Sequence, residues 1–314
     1  MASPLASSAS TARCRCGDCA RNADHGSAGV SKGDFHTHST NSDGVRTPTE
    51  LIDLAYQRGV RVMALTDHDT LDGLEEAEAA ASRHPGFLLI PGIELSCDVP
   101  GTEVHILGYF IDRDDARLQE QLHTFRAGRI DRAQRIIGAL ERLGAPIEWT
   151  RVQEIAGEAS VGRPHIAQAL LEAGHIETFN EAFDRFIGRD GPAYAERSKL
   201  EPPDAIAMIR DAGGIAVFAH PGFTKEYERI AAELADAGLF GLEAYYKHYD
   251  PEMVASLVGL AESLGVFALG GSDHHGIDRE DERQPGEIPL PDEVVDAFLV
   301  AARERGCEVP EPTP

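Results

Sequence analysis

No window of this sequence approaches 18 uninterrupted apolar residues, so no membrane-spanning helix is expected. Basic side chains are scarce: 29 Lys and Arg stand against 53 Asp and Glu, leaving a formal charge of −24. Such a chain repels polyanions at long range, which argues against a protein that coats long nucleic acid but not against one that handles small phosphorylated molecules. Cysteine is sparse and odd in number, five in all, with no secretory pattern. That argues against a disulfide framework and fits a reducing, cytoplasmic compartment. Three of the cysteines, Cys14, Cys16 and Cys19, crowd into "CRCGDC". They could bind a metal, but His25 is the only nearby fourth ligand, so a zinc site there is the lesser expectation. The segment Met1 to Ser31 lacks an apolar h-region, and its Ala/Ser-rich composition predicts a disordered leader.

What is present is an ordinary globular composition, 42% hydrophobic and 26% charged, with 31 glycines and 18 prolines to serve many loops. A chain of 314 residues suffices for two average domains or one α/β barrel. From Lys32 onward, short apolar runs alternate with helical patterns, the signature of repeated β/α units. Seven strands are predicted, over Asp34–His38, Arg61–Thr66, Phe87–Ile93, Val104–Phe110, Ile215–Ala219, Gly241–Tyr245 and Val266–Gly271. Between the first two, "TPTELIDLAYQRG" predicts a helix with Thr47 as N-cap, Pro48 at its first position and Gly59 after its last turn. Its apolar residues Leu51, Ile52, Leu54 and Ala55 recur at helical spacing. The stretch Leu71 to Ser82 follows the same plan.

The alternation breaks from about Asp112 to Ser198. There "LHTFRAGRIDRAQRIIGALERLG", "GRPHIAQALLEAG" and "TFNEAFDRFIG" predict helices without a clear strand between them. The expected organisation is therefore a leader over residues 1–31, a barrel built from 32–111 and 199–306, a helical insertion over 112–198 that caps the barrel and shapes substrate access, and a disordered end over 307–314. The tail after Pro285 predicts a loop and a C-terminal helix covering the barrel.

In β/α barrels the working residues sit at the C-terminal ends of strands and in the loops that follow. Nearly every predicted strand exit here carries metal-competent side chains: His36 and His38, Asp67 and His68, Glu94, His220, Glu243, and Asp273, His274 and His275. One histidine of this kind is more often a hydrogen-bonded structural residue, and His84, His123, His175 and His248 are assigned to surface or packing roles. The joint pattern is different. Several buried carboxylates and imidazoles gathered without cations would leave like charges unpaired at a cost of several kcal/mol. A site for more than one metal ion is expected, and its ligand set suits Zn²⁺, Mn²⁺ or Fe²⁺ rather than Ca²⁺. Such ions make hydroxide at neutral pH and clamp the oxygens of a phosphoryl displacement.

The motifs "DFHTHSTNSDG", "LTDHDT", "PGIELS", "AHPG" and "GSDHHG", in this order, resemble those of the PHP (polymerase and histidinol phosphatase) superfamily over about Gly33 to Gly276. The resemblance implies a distorted seven-stranded β/α barrel with a helical insertion, a trinuclear divalent-metal site, manganese first with iron or zinc as alternatives, and phosphoesterase chemistry by a metal-bound hydroxide. It implies His36, His38, Glu94 and Asp273 at the first metal, Glu94, His105 and His220 at the second, and Asp43, His68 and His275 at the third. Asp43 stands where some relatives have a histidine. His105 lies near the start of its predicted strand, so only the resemblance supports it. Asp67 is expected to orient His68, and Glu243 to serve either as support or as a proton acceptor.

Within the superfamily, "SVGRPHIAQALLEAG" and "AFDRFIGRDGPAY" are similar to the stand-alone enzymes that act on nucleoside 3′,5′-bisphosphates or on the 5′ ends of short RNA. That likeness implies Arg163 and His165 facing a substrate phosphate, with Arg197 and Lys199 as candidates for a second. The alternative for Arg163 is an ordinary residue at a helix N-terminus. The expected substrate is a small phosphorylated nucleotide or a short oligonucleotide, with no long nucleic acid and no membrane as partner. Alternatives are a 5′→3′ exonuclease on short oligoribonucleotides, a histidinol-phosphate phosphatase and, from another class, a non-catalytic metal-binding module.

Overall fold

Seven strands pair in chain order: β1 (Gly33–Asp34), β2 (Val62–Leu65), β3 (Leu88–Val99), β4 (Thr102–Tyr109), β5 (Ile215–Phe218), β6 (Gly241–Tyr245) and β7 (Phe267–Gly270). The computed structural model describes residues 30–99, 101–157, 159–196, 200–277 and 282–314. The exits of β1 and β7 meet where the Phe35 N–H donates to Gly270 O (3.4 Å) and the His38 N–H to His274 O (2.9 Å), so the sheet nearly closes into a barrel. β1 is regular for two residues only, shorter than the predicted Asp34–His38. Beyond it the chain stays between its neighbours, but Thr37 takes a side-chain hydroxyl, Thr66 Oγ1, as its acceptor in place of a backbone carbonyl.

One strand departs from a simple β/α barrel. β4 pairs antiparallel with both β3 and β5, whereas the other pairings are parallel. The start of β4 therefore lies on the rim where the parallel strands end.

The short strands β2 and β5 are buried at every position, as continuous apolar runs covered on both faces must be. Inside the barrel Phe35, Leu107, Tyr109, Val217 and Leu269 form a cluster with Phe298. Phe298 belongs to α10 (Asp292–Glu304) and meets the rings of Phe35, Tyr109 and Phe240 edge-on at 4.8, 5.6 and 6.0 Å. The C-terminal helix thus plugs the barrel end where the parallel strands begin. The outer face of the sheet packs against α1 (Pro48–Arg58), α2 (Leu74–Ala81), α7 (Pro202–Asp211), α8 (Tyr227–Asp236) and α9 (Pro251–Leu264). α1 has the predicted ends: Thr47 and Glu50 form a capping box, and Gly59 closes the helix with a left-handed φ of 106°. A cap of this kind contributes about 1 kcal/mol.

Between β4 and β5 run α3 (Ala116–Arg142), α4 (Trp149–Ala156), α5 (Arg163–Glu172), α6 (Phe179–Ala182) and a π-helical turn (Phe183–Ile187). Ile136, Leu140, Val152, Leu170 and Ile187 give these helices an apolar cluster of their own. The group docks on the rim through the Ser160 N–H, which donates to Asn41 O at 3.0 Å, and through ion pairs of Arg129 with Asp69 and Arg163 with Glu103.

The end of the chain corrects one expectation. Residues 307–314 are not a free tail: Cys307 is buried, and Thr313 exchanges backbone hydrogen bonds with Gly86 (2.7 Å) and Phe87 (2.9 Å). Ser31, expected as the last residue of the leader, is buried with its hydroxyl on Leu290 O; the earlier part of that leader, with Cys14, Cys16 and Cys19, lies outside the described residues. Among the described residues no helix is long and apolar enough to cross a membrane.

Candidate metal centre

Among the described residues the rim carries three overlapping groups of potential ligands: His36, His38, Glu94 and Asp273; His38, Asp43, His68 and His275; and His68, Glu94 and His105. Within each group the donor atoms lie inside 4.8 Å of one another. His220 joins them, with its Nε2 3.2 Å from Glu94 Oε1. All nine residues expected at a metal are thus brought together. His105 is there because β4 runs backwards: Ser96 pairs with His105 across the β3–β4 ladder, and Glu94 follows one pleat on.

The backbone is bent to make this convergence. Of five non-glycine residues with positive φ among the described residues, three, Asp69, His220 and Asp273, lie in the loops leaving β2, β5 and β7. Left-handed backbone in such residues is uncommon, and it concentrates where a site demands it. Gly271 allows the β7 exit to approach β1; a Cβ there would come within 2.4 Å of the His36 nitrogen.

Several donors point at shared space instead of at each other. His38 Nε2 lies 3.2 Å from Glu94 Oε2 and 3.1 Å from Asp273 Oδ1, yet makes no aligned hydrogen bond. The same holds for His68 Nδ1, 3.3 Å from Glu94 Oε2, and for Asp43 Oδ1. His105 Nε2 is buried without a hydrogen-bond partner, its other nitrogen being held by Glu94 at 2.6 Å. Buried polar atoms left without donors are costly, and lone pairs aimed at a common point are what a cation requires.

Burial opposes charge at His36, His38, His68, His220, Asp43, Glu94 and Asp273. At His36 it is outweighed by Glu243, Glu94 and Asp273, which hold the imidazole well above its ordinary pKa. At His38 it is outweighed by the adjacent Asp273 and Glu94 oxygens, which lift the pKa to about 10. At His68 burial prevails over Glu94 and Asp43, and the pKa falls to about 3. The carboxylates keep their charge against burial: His275 and His68 hold Asp43 well below the usual range, His68 and His36 do so for Glu94, and Lys247 and His36 for Asp273. Three buried anions surrounded by imidazole nitrogens create a strong demand for positive charge, and the donor set fits borderline divalent ions.

A surrounding layer fixes the imidazoles. Glu243, wholly buried in β6, lies 3.1 Å from His36 Nδ1 through both of its oxygens and accepts the His220 N–H at 2.7 Å. Both of its oxygens are thus engaged, by His36 and by the backbone of His220. Asp67 departs from expectation. It does not bond His68; its carboxylate accepts the Ser39 N–H (2.7 Å) and the hydroxyls of Ser39 and Ser42 (2.6 Å each). Ser42 Oγ in turn lies 3.5 Å from His38 Nδ1, so Asp67 braces the loop after β1 and, through Ser42, His38. Tyr246 and Lys247, at the β6 exit, do the same for Asp273: the Tyr246 hydroxyl donates to Oδ2 at 2.5 Å and the Lys247 ammonium to the backbone oxygen at 2.8 Å. Sequence reasoning missed Ser39, Ser42, Tyr246 and Lys247, although the serines sit inside the quoted "HSTNSDG" and the other two directly follow β6, the strand that carries Glu243.

On the insertion side, Arg163 is the first residue of α5, and one arm of its guanidinium donates to Glu103 Oε2 at 2.7 Å. His165 Nδ1 accepts the Gly162 N–H at 2.9 Å, capping the same helix; burial lowers the pKa of the ring, against Asp43. Arg129 of α3, unmarked by any motif, donates from Nε to Asp69 Oδ2 at 2.5 Å and from its fork to Ser96 Oγ at 3.1 Å. Arg197 and Lys199 lie outside the described residues.

Comparison with known proteins agrees with this geometry. Residues 34–188 match the PHP domain. A 3′,5′-nucleoside bisphosphate phosphatase of Chromobacterium violaceum is 33% identical over 252 residues, covering 77% of this chain and 86% of the relative. A 5′-3′ exoribonuclease of Haemophilus influenzae is 40% identical over 190 residues, 60% of this chain and 69% of the relative. The solved structure of a candidate metal-dependent phosphoesterase from Bifidobacterium adolescentis superposes with a TM-score of 0.76 at 31% identity, covering 85% of this chain and 95% of that one. With its seven-stranded barrel and its rim of clustered His, Asp and Glu, the chain belongs to the PHP family and is a metal-dependent hydrolase of phosphoester bonds.

Proposed function

We propose that the chain is a cytoplasmic phosphatase of small nucleotide phosphomonoesters, above all nucleoside 3′,5′-bisphosphates, and that it works with three divalent cations, manganese first and iron or zinc as alternatives. The observation that carries this reading is the set of three overlapping ligand groups with buried lone pairs that no donor satisfies. His36, His38, Glu94 and Asp273 would hold one cation, Glu94, His105 and His220 a second, and Asp43, His68 and His275 a third. His38 and His68 each reach two of the groups. Cations bound there supply Lewis acidity toward phosphoryl oxygens and lower the pKa of water toward neutrality.

The chain's own contribution is orientation. Glu243 on His36 Nδ1, and Ser42 with Asp67 on His38 Nδ1, leave the Nε2 lone pairs of both rings facing inward. Arg163 and His165, at the start of α5, are the groups proposed to face a substrate phosphate, since a guanidinium fork matches phosphate bidentately. To serve, Arg163 exchanges Glu103 for the substrate. Arg129 adds a cation on the same side, and Arg197 and Lys199 are proposed for a second phosphate.

A second reading keeps the site and enlarges the substrate: 5′→3′ trimming of short 5′-phosphorylated oligoribonucleotides, favoured by the 40% identity to the Haemophilus exoribonuclease. A terminal nucleotide with a 5′-phosphate and a 3′-phosphodiester presents the same local groups. The deciding experiment is phosphate release by Mn²⁺-loaded protein from adenosine 3′,5′-bisphosphate, beside a 5′-phosphorylated RNA trinucleotide and histidinol phosphate. Fast release from the bisphosphate is expected. Mononucleotides from the trinucleotide with silence on the bisphosphate would make the enzyme an exonuclease, and silence on all three would overturn the substrate assignment.

A further inference from the structure

Six large apolar side chains are exposed among the described residues, and Phe223 is both the most exposed, at 60%, and the only aromatic one. Single exposed apolar residues are ordinary on a protein surface. Phe223 is not single. It sits three residues after His220, in the turn Pro221–Phe223 that leaves β5, and its ring meets the His220 ring edge-on at 6.2 Å. Around it lie the rings of Tyr246 (5.8 Å), His248 (5.5 Å) and Tyr249 (6.3 Å, stacked). An aromatic surface is thus continuous with the metal centre, since His220 touches Glu94 on one side and Phe223 on the other.

The platform is also held still. The Phe223 N–H donates to His220 O at 3.1 Å and the Thr224 N–H to Pro221 O at 2.8 Å, while the Gly222 N–H donates to the Tyr249 hydroxyl at 2.7 Å. The turn presses so closely on Tyr249 and Met253 that a Cβ on Gly222 would come within 2.7 Å of both. The Thr224 hydroxyl is tied to Glu103 O at 3.1 Å, and the side chain of that same Glu103 carries Arg163. A braced, exposed π-face is therefore linked through His220 to the metal centre and through Thr224 and Glu103 to a residue proposed to take phosphate.

We infer that Phe223 is the surface on which the nucleobase of the substrate stacks, with the Tyr246–His248–Tyr249 group as its backing. The inference rests on the nucleotide reading proposed above and adds the part of the substrate that cations and arginines do not recognise. One ring face accommodates one planar heterocycle, which suits a mononucleotide or the terminal base of a short RNA better than a protein surface. Stacking on an aromatic face is tolerant of base identity, so little discrimination among the four bases is expected.

The test compares wild-type protein with Phe223→Leu, which keeps the apolar bulk and removes the π-face, and with Phe223→Tyr, which restores it. Two readouts are needed: quenching of 2-aminopurine riboside 5′-phosphate emission on binding, and the KM and kcat for adenosine 3′,5′-bisphosphate and for the base-free 1-deoxyribose 3,5-bisphosphate. Phe223→Leu is expected to abolish the quenching and to raise KM for the nucleotide about 10- to 100-fold at unchanged kcat. The base-free substrate should be unaffected, and Phe223→Tyr should behave as wild type. Unchanged quenching and KM in Phe223→Leu would overturn the inference and leave the substrate reading intact, and so would equal losses on both substrates. Quenching that depends on Phe223 in a protein that hydrolyses neither compound would support the platform while the substrate reading fails. Wild-type protein that neither quenches nor hydrolyses would overturn both.

Discussion

At the scale of single residues the centre separates atoms that face inward from atoms that hold them. His38 belongs to two ligand groups and has a buried Nε2 without an aligned partner. His38→Ala should therefore strip bound metal and lower turnover by more than about 100-fold, beyond the upper end for loss of a supporting residue. The circular dichroism spectrum should stay that of the folded protein; unchanged turnover would remove His38 from the centre. Among the described residues the Glu243 carboxylate hydrogen-bonds only His36 and the His220 backbone, so Glu243→Gln, which keeps the shape and drops the charge, should weaken metal affinity about 10- to 100-fold. Metal titration checks this, and a kcat effect at saturating metal would point to a role in the chemistry instead. Arg163→Ala should raise KM for a bisphosphate with metal content retained, because the residue lies outside every ligand group. Constants left alone by that change would show that α5 does not form the phosphate pocket.

At the scale of elements, the legible parts of the sequence were those that local chemistry dictates. Thr47, Pro48 and Gly59 bound α1 where their capping preferences put them, and six of the seven predicted runs are strands over most of their length, while the first is regular only at Asp34. The direction of β4 was not legible, because an antiparallel strand and a parallel one share the same alternation; hence His105 seemed to break a rule that it obeys once β4 is reversed. The partners of Asp67 were equally hidden, since the Ser39–Ser42 turn is closed by contacts between loops that follow different strands. The order at the end of the chain is not legible either, because its proline-rich composition carries no sign of the hydrogen bonds that Thr313 makes to Gly86 and Phe87. The helices between β4 and β5 have their own apolar cluster, which makes a separate prediction. Leu170→Ala should cost about 2–5 kcal/mol locally. Hydrogen exchange should rise in α3 to α6 while the amides of β2 and β3 keep their protection; equal loss in both regions would mean that barrel and insertion unfold as one unit.

At the scale of the whole molecule, a chain with a formal charge of −24 concentrates its buried anions at one rim, where Glu94, Asp43 and Asp273 lie within reach of shared cations. Bound metal should then be a large part of folding stability. At about 1,000 times its dissociation constant, one cation contributes about 4 kcal/mol, so chelation should lower Tm by on the order of 10 °C. Scanning calorimetry with and without chelator reads this directly, and an unchanged Tm would mean that the rim is stable without cations. The most direct test of the central claim is to strip the protein with chelator, add Mn²⁺ stepwise, and follow phosphate release from adenosine 3′,5′-bisphosphate. The account predicts no release from the stripped protein and a rate that saturates as three equivalents bind. Turnover without metal, or a rate that is complete at one equivalent, would contradict it.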